Sequence, residues 1–321
     1  MGLSGFSAGK RKRRCMPMIK NFEELLAKAL QLGRKKVVVV NPNNEETFAA
    51  IREIQNLGLA DLVLVGNPSV IAKGIVGKSS AEIVPASDPS EALQKTVELI
   101  RSGKGDILMK GGVDTSTMMK AVLREDAGLR TGRLLSDIFI MEYPSRRDNK
   151  FIMITDGGMT LAPDLKNKME LIANAVEVAH ALGNANPKVA VLSATEFVLP
   201  NLPSTLDAAA LSKMNERGQI KGCVVDGPFA LDNAISEEAA AEKKINSPVA
   251  GHAEILIAAN IESANSLAKS TTFFAGLRLA HVIVGGRVPV LIPSRADKSD
   301  ARLLSVALGV IMAEYNQAQL N

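Results

Sequence analysis

Val288-Pro289-Val290-Leu291-Ile292-Pro293-Ser294-Arg295-Ala296-Asp297-Lys298-Ser299-Asp300 is the stretch whose reading decides the fold. An apolar, strand-like segment (Val288 to Ile292) hands over within a few residues to a helical pattern that runs from about Ser299 to the C-terminus. A hydroxyl, a fixed cation and two carboxylates gather at that handover. A helix start offers unbonded backbone N–H groups and a positive dipole end, so the place suits an anion. An arginine beside a hydroxyl can hold a phosphate or steady a developing oxyanion. The same residues also read as an ordinary helix N-terminus, with Ser299 as cap and Asp300 in the first turn.

The strand-to-helix handover repeats along the chain. Asn21-Phe22-Glu23-Glu24 resembles a capping box and opens a helix that stops at Gly33. Strands are expected at Lys36–Val40, Asp61–Val65, Glu82–Pro85, Asp106–Lys110 and Leu134–Glu142, with helices from about Asn44, Pro68 and Pro89. The polar run Pro144-Ser145-Arg146-Arg147-Asp148-Asn149 marks a domain boundary. Beyond it the pattern gives strands Phe151–Thr155, Lys188–Ser193, Gly222–Asp226, Glu254–Ala259, His281–Gly285 and Val288–Ile292. Helices are expected at Asp164–Leu182, Ser204–Arg217, Asp232–Lys243, Ile261–Ala280 and the C-terminus. Such alternation implies an α/β fold with mainly parallel sheets and helices on both faces.

Composition narrows the class. The 321 residues are 46% apolar but only 3% aromatic, with no Trp, so the core is aliphatic. That length suits two domains. No apolar run approaches the roughly 18 residues of a membrane span. Cys15 and Cys223 are far apart and lack metal-ligand spacing, which predicts reduced thiols in a cytoplasmic protein. Cys223, in an apolar strand, reads as a small core residue. The pI of about 9.0 is misleading. Lys10, Arg11, Lys12, Arg13 and Arg14 supply five positive charges to a net +4, which leaves −1 for the rest. Without a basic stripe or interleaved aromatics, nucleic acid is not expected as a partner. Residues 1–18 read as a basic, disordered extension outside the fold.

In α/β folds ligands sit beyond the carboxyl ends of the strands. The runs there are Gly111-Gly112-Val113-Asp114-Thr115-Ser116-Thr117, Asp156-Gly157-Gly158-Met159, Asp226-Gly227-Pro228, Asn260, Gly285-Gly286 and the Ser294-Arg295 run. Their glycines permit close backbone approach to a phosphate, though turns need glycine whatever the function. No Walker sequence or Gly-x-Gly-x-x-Gly is present, which argues against a nucleoside triphosphate or classical dinucleotide site. His180, His252 and His281 have no serine or cysteine partner in a recognisable motif. The chemistry is therefore expected from hydroxyl, arginine and carboxylate.

Several runs together resemble the phosphate acetyl/butyryltransferase family, closest to its butyryltransferase branch. They are Met109–Thr117, Gly128–Arg133, Ile154–Met159, Ile220–Pro228, Ser247–Gly251, Asn260–Asn265 and the Ser294-Arg295 run. Asp207-Ala208-Ala209-Ala210-Leu211 adds to the likeness with the butyryltransferase branch. The resemblance extends from about residue 19 to 318 without large gaps. It implies reversible acyl transfer from coenzyme A to inorganic phosphate through a ternary complex, with no covalent acyl-enzyme. It also implies two three-layer α/β/α domains with an interdomain cleft, an architecture like that of isocitrate and isopropylmalate dehydrogenases. The first domain would comprise 19–147 plus 286–321 and the second 148–285, in a cytoplasmic homodimer.

By the same resemblance Ser294 would hydrogen-bond the thioester oxygen and Arg295 would neutralise phosphate and the tetrahedral transition state. Gly111, Thr115, Ser116, Thr117, Lys120, Asp156, Gly157, Asn265 and Gly285 would contact substrate. Coenzyme A and phosphate enter as substrates, with no permanently bound cofactor, no metal, and no nucleic-acid or membrane partner. Two departures stand out. A catalytic acid lies six residues after the arginine in the acetyltransferase branch; here that position is Ala301, so the thiol proton falls to Asp300 or Asp297, with Asp300 preferred. An arginine of the acetyltransferase branch is matched by Lys120, which keeps the charge but loses the bidentate fork. Two other readings share these features: a metal- and NAD-dependent decarboxylating dehydrogenase, and a non-catalytic binder of CoA or acyl phosphate. The first needs clustered aspartates, and no Asp-x-x-x-Asp pair stands at a helix start.

Overall fold

A computed structural model describes residues 17–75, 79–144, 150–294 and 299–320. Most of the basic extension, the boundary run after Pro144, and Arg295 and Asp297 lie outside the described residues.

The first half alternates α1 (Phe22–Gln31), β1 (Lys35–Val40), α2 (Glu45–Leu57), β2 (Ala60–Gly66), α3 (Pro68–Gly74), β3 (Glu82–Pro85), α4 (Pro89–Arg101), β4 (Ile107–Lys110), α5 (Thr115–Leu123) and β5 (Ser136–Glu142). The second half follows with β6 (Phe151–Thr155), α6 (Leu165–Ala181), β7 (Lys188–Leu192), α7 (Pro203–Glu216), β8 (Val224–Phe229), α8 (Leu231–Ile235), α9 (Glu237–Glu242), β9 (Ile255–Ile257) and α10 (Ile261–Phe273). The chain then returns through β10 (Leu279–Val284) and β11 (Val290–Leu291) to the long α11 (Ser299–Leu320). Helix starts carry the side-chain caps that their sequences announce. Asn21, Asn44, Asn67, Asp88, Asp164 and Asn260 each accept hydrogen bonds from first-turn N–H groups.

Among the described residues eleven strands join in one sheet, in the order β3-β2-β1-β4-β11-β10-β5-β6-β9-β7-β8. The outer parts are parallel, as crossover helices require. Antiparallel pairing is confined to the centre, where β10 pairs with β11 and β5, and β5 pairs with β6. The sheet is covered on both faces, and the strand pleat divides its aliphatic residues between them. On one face a single core runs under α1, α2, α11, α6 and α7, with Val37, Val39, Met109, Ile138, Ile140, Val191 and Ile257 turned into it. The other face carries two separate cores. One, under α4 and α5, holds Val38, Val40 and Leu108; the other, under α8, α9 and α10, holds Phe139, Ile154 and Leu256. The interruption between these two cores is where the candidate site lies.

Several sequence expectations change. The helix expected over Asp232–Lys243 breaks at Ser236, which ends α8 and caps α9, its hydroxyl accepting the Ala239 N–H at 3.2 Å. The helix expected to reach Ala280 stops at Phe273, because Gly276 turns left-handed (φ +66°) and the chain re-enters the sheet. Thr115-Ser116-Thr117, placed by the sequence in the run beyond a strand end, form the first turn of α5, since the Asp114 carboxylate accepts the Thr117 N–H at 2.8 Å. Asp226-Gly227-Pro228 lie inside β8 rather than after it, beside an irregularity in the β7 register. β11 is only two residues long; Pro289 before it has no N–H for a ladder.

Candidate active site

Four separate segments converge at the interruption. They are the passage from β4 into α5, the β6 turn, the α10 face, and the residues 292–294 after β11 together with the first turn of α11. Between them lies a cavity of about 670 Å³. Among the residues lining it are Thr115, Gly157, Asn265, Ser294, Asp300 and Ala301, so a large share of the expected site residues comes together. Lys110, Val113, Asp114 and Pro293 also line a neighbouring cavity of about 400 Å³, whose wall includes Gly111 and Arg302.

Ser294 is half-buried just beyond β11. Its carbonyl accepts a hydrogen bond from Arg302 Nη2 at 2.9 Å, while Arg302 Nη1 lies 3.4 Å from Thr47 Oγ1 on α2. The buried guanidinium thus ties the first turn of α11 to the loop that carries the serine. Asp300 is exposed at the rim, where its Oδ1 accepts the Ala301 N–H at 2.9 Å.

On the opposite wall Gly111 closes against β1. Its N–H donates to the Val40 carbonyl at 3.0 Å, and a Cβ there would stand 2.4 Å from that oxygen. The close approach aims the chain into α5, placing Thr115 on the cavity. Ser116 donates to Asp114 Oδ1 at 2.7 Å. Hydrogen bonds from Thr117 and Ser116 hold the Asp114 carboxyl well below the usual range. Ser116, Thr117 and Lys120 are exposed on α5 but do not line the cavity.

Asp156 organises the turn after β6. Its Oδ1 accepts N–H groups of Gly158 and Met159, each at 3.0 Å, and of Asp137 at 3.2 Å; its Oδ2 accepts Thr160 N–H at 2.9 Å. The carboxyl is 3% exposed, and burial pushes it up to about 6 despite those donors. It therefore shapes the wall and does not itself line the cavity. Gly157 does line it, and the Asn265 amide donates to the Gly157 carbonyl at 2.9 Å. Gly285 sits apart from the cavity, its carbonyl accepting the Thr131 hydroxyl and its α-carbon packed where a Cβ would meet Leu134 O at 2.1 Å.

One pair escaped the sequence reading. His281 and Asp137, both buried, line the cavity with Nδ1 and Oδ1 3.0 Å apart. They are 144 positions apart, and only the antiparallel pairing of β10 with β5 brings them together. The other two histidines have structural bonds, His180 to the Gly222 carbonyl at 2.8 Å and His252 to Glu237 at 3.5 Å. Cys223 is a buried core residue, its thiol raised to about 11 by burial. Among the described residues no group of His, Cys, Asp and Glu has the makings of a metal site, and no helix is long and apolar enough to cross a membrane.

Comparison with known proteins shows the family of the chain. Residues 85–310 match the family model described as phosphate acetyl/butaryl transferase. The chain is 43% identical over 304 residues to the phosphate butyryltransferase of Clostridium beijerinckii, covering 94% of this chain and 100% of that one. It is 42% identical over 299 residues to the phosphate acetyltransferase of Thermotoga maritima, covering 90% and 99%. A branched-chain phosphotransacylase from Enterococcus faecalis superposes with a TM-score of 0.77 at 28% identity, covering 87% of this chain and 99% of that one. With the family model spanning most of the chain and relatives matched almost end to end, this protein belongs to the phosphate acetyl/butyryl transferase family.

Proposed function

We propose that this protein transfers a short-chain acyl group reversibly between coenzyme A and inorganic phosphate, giving acyl phosphate and the thiol. Support for this reading comes above all from the convergence of Thr115, Gly157, Asn265, Ser294 and Asp300 on one cavity in a member of this family. Acyl transfer needs a donor at the developing oxyanion and a cation that desolvates phosphate and aims it at the carbonyl carbon. Ser294 takes the first role and Arg295 the second. Thr115, with Ser116, Thr117 and Lys120 further along α5, contributes phosphate or pantetheine contacts. Asp300 meets the leaving thiol at the rim. Coenzyme A and phosphate both arrive as substrates. The protein works as a cytoplasmic homodimer, with 19–147 plus 286–321 as one unit, 148–285 as the other, and the cavity as the cleft between them.

The test is thiol release from acyl-CoA, with and without phosphate. Phosphate-dependent release that is indifferent to added NAD and divalent metal is the expected result; release that needs either addition, or none at all, refutes the reading. The acyl group is proposed to be butyryl or branched. Each buried methylene contributes about 0.8 kcal/mol, so two give roughly tenfold discrimination in kcat/KM over acetyl-CoA. A clear preference for acetyl-CoA would refute that part alone.

A further inference from the structure

His281 and Asp137 meet the cavity but have no role in the reading above. A carboxylate only accepts, so the 3.0 Å contact places the hydrogen on Nδ1 and the basic lone pair on Nε2. The imidazole is 7% exposed and stacks on Phe139, with centroids 5.1 Å apart and planes 5° from parallel. Its backbone N–H donates to Ser305 Oγ of α11 at 3.0 Å. The turn after β6 fits itself to this pair. A Cβ at Gly158 would stand 2.5 Å from Asp137 Oδ2, and one at Gly157 would stand 2.8 Å from the Phe139 ring. Asp156, which folds that turn, also accepts the Asp137 N–H. The Asp-Gly-Gly run thus serves to close the wall on the two residues that hold the imidazole.

We propose that His281, oriented by Asp137, carries the proton between phosphate and the coenzyme A thiol. The proposal rests on the acyltransferase reading. An oxygen of hydrogen phosphate bonds to the acyl carbon, and the carbon–sulfur bond breaks with its electron pair on sulfur. His281 Nε2 takes the phosphate O–H proton and delivers it to the thiolate, so the step needs no other proton source. Imidazole suits both transfers because its proton affinity lies between those of a carboxylate and a thiolate. Asp300, the residue favoured from sequence, stands exposed at the rim with Oδ1 accepting from its own helix start. Among the described residues, the charged groups around the imidazole are Asp137 on β5, Asp156 behind it, Lys110 on β4, Asp114 before α5, Lys269 and Arg278 on and after α10, and Asp300 on α11. Asp137 hydrogen-bonds the imidazole through Nδ1.

The test uses full-length His281→Gln, Asp137→Asn and Asp300→Asn, assayed with butyryl-CoA and phosphate and in reverse across about pH 6 to 9. His281→Gln is expected to lose about 10²–10⁴ in kcat with little change in KM. In the direction that consumes thiol, that loss shrinks about tenfold per pH unit until the thiol ionises by itself near pH 8.5. Asp137→Asn, which presents the wrong tautomer, loses roughly 10² or more with the same pH signature. Asp300→Asn, which removes a contact at the rim, is expected to lose about tenfold equally at every pH, without the signature of a lost proton carrier. A His281→Gln enzyme of near-normal kcat overturns the proposal, as does a loss equal at every pH. A pH-dependent loss confined to Asp300→Asn overturns it too. If His281→Gln does not fold, the Asp137→Asn profile decides. Wild-type enzyme without phosphate-dependent thiol release overturns the acyltransferase reading itself, and this proposal with it.

Discussion

Asp156 shows how far one side chain can be from the role its position suggests. In the sequence it stands after a strand, beside two glycines, as a ligand-contacting residue would. In the fold it satisfies four backbone N–H groups and sits behind the cavity wall. Its carboxyl titrates at about 6 instead of 3.8. The folded state therefore holds this proton more tightly than the unfolded chain. Stability linked to the group is full below about pH 4 and is lost as pH rises through about 6, by an amount of order 3 kcal/mol. Asp156→Asn removes the titration. Denaturant unfolding of both proteins between pH 4 and 7 should show the variant gaining on wild type as pH rises. A difference that is flat with pH contradicts this account.

At the scale of elements, the site depends on how strands hand over to helices. Gly111 lets β4 turn against β1 and deliver Asp114 as the cap of α5. Gly111→Ala places a methyl against backbone atoms of Val40, Asn41 and Pro42, none of which can swing aside. Overpacking of this kind costs about 1–3 kcal/mol or more and shifts the start of α5 away from the cavity. A lower melting temperature together with a loss of about tenfold or more in kcat/KM is expected, since small displacements at a reacting site are costly. Full activity would mean that the α5 start is not part of the binding wall.

The whole molecule is tied together by α11 and by the continuous sheet. α11 packs on α1, α2 and the strands of the first half, and also on α6 and β10. Its Val306, Ala307, Leu308 and Val310 are fully buried in the core that both halves share. Leu308→Ala should cost about 2–5 kcal/mol, the usual range for a large-to-small change in a packed core. Because the sheet is unbroken and this core is common, unfolding should be one transition, coincident by helical signal and by loss of activity. Two separated transitions would show that the halves fold as independent units.

What the sequence determined by itself was local. The 3.6- and 2-residue periodicities, with Asn and Asp caps, set the α/β class and nearly every strand and helix in order, because caps and amphipathic faces act over a few residues. The family runs likewise marked Ser294, Thr115, Gly157, Asn265 and Asp300, which the fold brings to one cavity. The tertiary structure decided what depends on pairing across long separations. The antiparallel β10–β5–β6 centre joined the two halves and set His281 on Asp137. The break at Ser236 and the early end of α10 were local competitions that amphipathic periodicity alone did not resolve. A buried His–Asp contact across 144 residues leaves no pattern in a single sequence, because strand register, and not spacing along the chain, creates it.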